Sequence, residues 1–256
     1  MKGLGKSNNT PEKIKNGTYY NMFCGNSEEG NKVAYDMASL ATDIHSASIK
    51  AGNELEKILE DKRCWGEETD HSDKNLLFNT GTKGWTRRRI NKYLKSDKNN
   101  HMIFHNPRVA IEGIKTKGGK QKECEPDLIL LTHKQVFVVE IKLGSNFDTS
   151  KSKGEREKLL EVCNVLKKKC SKGIEVTPMF VCWRCKDMKE ASIKDDQLRE
   201  IAIAGEEFAN KFDVNKKFVD DELTQGNNAR QIDVLERMKQ IVEDAQSHGF
   251  YSKHTN

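Results

Sequence analysis

Apolar and polar positions change rhythm several times along the chain. Residues 1 to about 30 are rich in Gly, Asn, Ser and Lys and read as a loose arm. From Asn31 to about Asp61, Val33, Met37, Leu40, Ile44, Ala51, Leu55, Ile58 and Leu59 recur at helical spacing, predicting one long helix or two in succession. Residues 63 to 100 are polar, broken by Gly66, Gly81 and Gly84, with a basic stretch Trp85 to Lys95 that could form a short helix. The centre changes character. Pro107 to Ile114, Pro126 to Leu131 and Val136 to Ile141 are short apolar or β-branched runs parted by turn sequences, which predicts a three-stranded antiparallel meander. Leu128 to Leu131 and Val136 to Val139 are continuously apolar, so both of their faces should be covered, with flanking helices as the cover. A helix from about Glu155 to Lys169, a fourth run Pro178 to Trp183, and helical patterns at Gln197 to Phe212 and Asn228 to Gln246 complete a mixed α/β architecture. In the last pattern Ile232, Leu235, Met238, Val242 and Ala245 form a stripe. It reads first as a face packed on its own core, with a dimer contact as the alternative.

Composition narrows the class. An apolar content of 35% over 256 residues suffices for a core, and no apolar run approaches the roughly 18 residues of a membrane span. With no secretory signal pattern either, a soluble cytoplasmic protein without membrane partners is expected. The 7 cysteines lack framework spacing, and reduced thiols are the expectation; Cys182-Trp183-Arg184-Cys185 is half a zinc motif without a second half. The balance of 44 basic and 39 acidic residues is too mild to identify a nucleic-acid binder, but basic residues bunch at Arg87, Arg88 and Arg89 and at Lys151, Lys153 and Arg156.

The candidate chemistry lies in Pro126-Asp127 and Glu140-Ile141-Lys142, on neighbouring strands of the meander. Glu140 and Lys142 close an apolar strand and, two apart, point to one face. As an isolated pair they would read as a rim salt bridge. With Asp127 entering the adjacent strand a second carboxylate shares the place, and facing carboxylates call for a cation between them. Oxygen ligands without Cys or His favour Mg²⁺, with Mn²⁺ able to substitute. Asp127 and Glu140 would then be ligands, the carbonyl of Ile141 a third, and Lys142 the catalytic cation, a set suited to phosphodiester hydrolysis.

Pro-Asp, apolar run, hairpin, apolar run and Glu-x-Lys together resemble the PD-(D/E)xK nuclease superfamily, and within it a type II restriction endonuclease. Lys50-Ala51-Gly52-Asn53-Glu54-Leu55-Glu56 is similar to that family's first core helix, which would place Glu56 beside the metal site, with Glu54 nearby as its rival. Leu143 to Lys158 is similar to the basic loop entering the crossing helix, and Ile203-Ala204-Gly205-Glu206-Glu207-Phe208 to an element opening a later helix. The resemblance implies a restriction-endonuclease-like core, a mixed sheet with an antiparallel three-stranded meander flanked by helices. It would occupy residues 46–215 with an insertion at about 63–105, between an N-terminal arm and helix start (1–45) and a C-terminal helical segment (216–256). It further implies a Mg²⁺-dependent, sequence-specific endodeoxyribonuclease leaving 5′-phosphate ends on double-stranded DNA. A homodimer is expected, and a cognate DNA methyltransferase without a stable complex. Lys151, Lys153, Arg156, Arg87, Arg88 and Arg89 are the candidate DNA contacts. The alternatives are a structure-directed nuclease acting in junction resolution or repair, and a non-catalytic DNA-binding protein on a nuclease fold.

Overall fold

The computed structural model describes residues 14–15, 28–72, 77, 85–96, 101–115, 119, 121–147 and 149–247. The chain divides into two compact units, Glu56–Val219 and the pair Met1–Leu55 with Asp220–Asn256. Among the described residues no helix is long and apolar enough to cross a membrane.

The first unit is built on a six-stranded mixed sheet. In chain order its elements are β1 (Thr69–His71), α2 (Arg87–Leu94), β2 (His101–His105), β3 (Val109–Lys115), β4 (Gln121–Cys124), β5 (Leu128–Thr132), β6 (Gln135–Lys142), β7 (Asn146–Phe147), α3 (Thr149–Lys169), β8 (Glu175–Cys182), β9 (Ser192–Ile193), α4 (Asp196–Glu200), β10 (Ala202–Ala204) and α5 (Gly205–Phe212). The strands run β1-β2-β5-β6-β8-β10, antiparallel across β2/β5 and β5/β6 and parallel elsewhere. The parallel step from β6 to β8 needs a crossover, and α3 supplies it.

The continuous apolar runs of β5 and β6 lie in the middle of this sheet, covered on both faces. Ile129, Leu131, Val136 and Val138 join Leu159, Val162 and Leu166 of α3 and Ile90 and Leu94 of α2 in one cluster. On the other face Phe137 meets Phe212 of α5 edge to face, with ring centroids 5.1 Å apart. α5 can come this close because it starts on a glycine. A Cβ on Gly205 would collide with the backbone carbonyl of Trp183.

Several expectations are corrected. The antiparallel partner of β5 is β2, His101–His105, rather than the run at Pro107 to Ile114, which pairs with β4 in a separate two-stranded sheet. The physical reason is burial. Positions 102–105 are all buried, as an inner strand requires, although histidines flank the short apolar core of that run. Val109 and Ile111 alternate with Ala110 and pack one face of a covering ribbon onto the cluster. The segment expected as an insertion at about 63–105 therefore supplies β1, α2 and β2. The pattern at Gln197 to Phe212 is two short helices split by β10, and α3 begins at Thr149, ahead of the expected Glu155. Gly81 and Gly84 and most of the N-terminal arm lie outside the described residues.

The second unit contains most of α1 (Glu28–Leu59) and of α6 (Lys216–Ser247). Within it Arg237 Nη1 lies 2.5 Å from Oδ2 of buried Asp43, and Arg230 Nη2 lies 2.6 Å from Glu54 Oε2. The stripe on α6 is not packed as first read. Ala245 is buried, but Ile232, Leu235, Met238 and Val242 are 58%, 65%, 46% and 43% exposed. The residues that turn inward are Leu223 and Ile241, offset from that stripe around the helix.

One buried histidine makes the first unit sensitive to acid. His105 stacks on His71 at 5.5 Å with Trp65 edge-on to both, and its Nδ1 is buried without a hydrogen bond. Burial, with His71 beside it, lowers its imidazole from the usual 6.5 to about 4. The folded core accepts only the neutral ring, so this stability is intact above about pH 6.5 and is lost as pH falls through about 4. Measured against His105→Gln, urea unfolding of the wild type should show a loss of about 3 kcal/mol between these values. His105→Gln should flatten that slope; a variant that keeps the full slope would assign it to other groups.

Candidate active site

The polar ends of two apolar strands meet at one place. Leu128 pairs with Val139, and the same register carried one step further sets Asp127 opposite Glu140. Ile141 between Glu140 and Lys142 points to the other face and is buried, so strand alternation brings both charges to one side. The crossing helix adds two more. Glu155 and Lys158 stand three apart, a spacing that puts neighbours on one helix face. Lys142 Nζ lies 2.5 Å from Glu140 Oε1 and 3.2 Å from Glu155 Oε1, and Lys158 Nζ lies 2.7 Å from Glu140 Oε2. The Ile141 amide donates to Asp127 Oδ2 at 2.6 Å.

Glu140 is 1% exposed and Asp127 9%, depths at which a lone carboxylate would not ionise. Their neighbours set them apart. Burial opposes the charge of Glu140, but Lys142 and Lys158 outweigh it and hold the carboxyl below the usual carboxylate range. Asp127 has burial and the Glu140 charge against it, only partly offset by Lys142 and the Ile141 amide, and is pushed up to about 7. Both ammoniums are held charged: burial works against them, and Glu140 and Asp127 more than compensate. Glu155 is raised, first by burial and then by Glu140.

The donors fit a hard divalent cation. They are two facing carboxylates and a neighbouring carbonyl, without thiolate or imidazole, and a small ion that retains several waters needs no more from the protein. The Asp127 carboxyl is raised first by burial and then by the Glu140 charge, and a cation between the two carboxylates would favour its ionised form. Among the described residues no three His, Cys, Asp or Glu side chains form a ready-made chelate, and the Glu140 oxygens are both engaged by ammoniums.

Of the remaining expected residues, Glu56 is half-buried, its carboxyl raised by burial and within the electrostatic reach of Lys142, Glu140 and Lys158. Glu54 is paired to Arg230. Lys153 is exposed, 3.9 Å from Glu157, and the side chain of Lys151 lies outside the described residues. Arg156 turns inward, with its side chain 15% exposed and 3.6 Å from Asp195. On α2, Arg88 is exposed, Arg87 Nε donates to the Lys169 carbonyl, and Arg89 lies over the Trp85 ring. Glu125 is on the surface with Arg108. Cys182 and Cys185 are buried, and burial pushes the Cys182 thiol up to about 12, unlike an activated nucleophile. Glu155 and Lys158 were missed by sequence reasoning. Their signal was a Glu-x-x-Lys beside the apolar stripe of Leu159, Val162 and Leu166, hidden in a charged run that reads as a solvated face.

Asp127 ionises in the folded protein only near pH 7, so its contribution to folding is present at low pH and is lost as pH rises through about 7. Asp127→Asn should therefore raise the melting temperature of the metal-free protein by several degrees at pH 8, with a gain that shrinks toward pH 4. A lowered melting temperature at pH 8 would contradict this charge balance.

Residues 81–178 match a family described as a nuclease-related domain. The matched stretch runs from ahead of α2 into β8 and carries Asp127, Glu140, Lys142, Glu155 and Lys158, while Glu56 lies outside it. No curated protein and no solved structure matches the chain. The matched domain points to a nuclease, a hydrolase acting on nucleic acid, and is consistent with the PD-(D/E)xK type.

Proposed function

We propose that the chain is a Mg²⁺-dependent endodeoxyribonuclease that hydrolyses phosphodiester bonds of double-stranded DNA to leave 5′-phosphate ends. The observation that carries this reading is the buried Asp127–Glu140 pair with Lys142 against Glu140, inside the segment that matches a nuclease-related domain. Asp127, Glu140 and the Ile141 carbonyl would hold the ion. When bound, Mg²⁺ supplies Lewis-acid polarisation of the phosphate and activates water for attack. Lys142, steadied by Glu155, keeps a full charge where negative charge develops on the phosphate and can orient the attacking water. The apolar strands behind the site exclude bulk water, which strengthens these interactions.

The finer reading is a homodimeric type II restriction enzyme. Cutting both strands of a symmetric site calls for two active sites related by a two-fold axis. The exposed row Ile232, Leu235, Met238 and Val242 suits a self-complementary contact between copies. A second reading, a non-catalytic DNA-binding protein on a nuclease fold, is favoured by the engagement of both Glu140 oxygens by lysines.

Incubation with a large unmethylated phage DNA separates these readings. Discrete fragments that require Mg²⁺ and Asp127, and vanish with EDTA, are expected, and Lys142→Ala should slow cleavage by about 100-fold or more. A smear would favour a structure-directed or nonspecific nuclease. DNA bound yet intact with every metal would favour the binding protein. In light scattering after size exclusion, Leu235→Asp should convert the dimer to a monomer; a wild-type monomer at micromolar concentration would remove the dimer.

A further inference from the structure

Glu140 is compensated twice over. Its two oxygens accept from two ammoniums on different elements, Lys142 from its own strand and Lys158 from the crossing helix. A catalytic cation at the strand end explains Lys142. It leaves Lys158 without a role. Lys158 is anchored to the second oxygen of a carboxylate that is 1% exposed, so another cation must compete with it for that oxygen. The two lysines also differ in what holds them. Lys142 has a second anchor in Glu155 at 3.2 Å and can stay in place if Glu140 gives up an oxygen. The two side chains are almost equally exposed, Lys158 at 29% and Lys142 at 32%, so the Glu155 contact is what sets them apart, and Lys158 keeps a path to solvent on its flexible stem.

We propose that Lys158 is a built-in stand-in for the divalent cation: its ammonium occupies the Glu140 oxygen that the ion requires, and ion binding expels it. This rests on the metal-nuclease reading above and assigns Lys158 as a positioning residue that sets metal affinity. With Lys142 alone on Oε1, the second oxygen of the buried carboxylate would lack a partner, and a buried acceptor left unsatisfied is destabilising. Lys158 keeps the site folded and charged until the ion arrives, and its displacement raises the metal concentration needed for loading. The exchange replaces the single positive charge of an ammonium with the two of the ion, a gain of one that suits a site where Asp127 stands opposite Glu140.

The test is calorimetric titration of the intact protein with Mn²⁺, without DNA, for wild type, Lys158→Gln, Lys158→Arg and Asp127→Asn. Lys158→Gln should bind Mn²⁺ about tenfold or more tightly than wild type, the equivalent of one charge-assisted hydrogen bond no longer competing. Lys158→Arg, which keeps a cation, should stay close to wild type. Equal or weaker binding by a folded Lys158→Gln overturns the stand-in role and leaves the nuclease reading intact. Absence of Mn²⁺ binding by wild type, or binding that survives in Asp127→Asn, overturns both. A second readout needs only wild type: acetylation of Lys158 by an activated ester, followed by mass spectrometry, should increase on adding Mn²⁺ as the ammonium leaves Glu140. Unchanged or reduced labelling overturns the proposal even if Lys158→Gln does not fold.

Discussion

The structure of the first unit turns on one register. Leu128 opposite Val139 carries Asp127 to a position opposite Glu140, and a slip by one residue would send each charge to the wrong face. The apolar runs that lock this register are buried on both sides. Burial that fixes the strands also strips water from the two carboxylates at their end. The surrounding architecture answers that cost. α3 crosses at the height needed to bring Lys158 and Glu155 to the strand ends, and Lys142 follows Glu140 on the same face. Charge that is expensive to bury is thereby held where a polyanion can meet it, which is the circumstance in which positioned charges act most strongly.

The helical unit follows a different logic. Its described helices are joined by ion pairs between Arg237 and Asp43 and between Arg230 and Glu54, while several large apolar side chains face outward. That row is the surface the proposed contact between copies would bury.

Much of the site was legible in the sequence because its signal is local. Pro126-Asp127 and Glu140-x-Lys142 each flank a continuous apolar run, and the two-residue period of a strand fixes which side chains share a face. Gly205 was legible too, as the head of a helix, although only the structure reveals the Trp183 carbonyl that excludes any side chain there. What could not be read depends on contacts distant in sequence. His101–His105 was passed over because three apolar residues between histidines carry little pattern, whereas its depth is set by β5 and β1 on either side. Lys158 looked like one more charge on a basic helix, and its ion pair with a residue 18 positions earlier has no sequence signature. Arg156 is the reverse case, a basic residue in a run expected to face phosphate, which the fold turns toward Asp195.

The most direct measurement is the location of a bound ion. Crystals of the protein soaked in millimolar Mn²⁺ should show an anomalous scattering peak about 2.1 Å from an oxygen of both Asp127 and Glu140, the oxygen distance of a small hard divalent cation. A peak on other residues, or none at either carboxylate with Lys142 and Lys158 still seated on Glu140, would contradict a metal-dependent nuclease site at the end of these two strands.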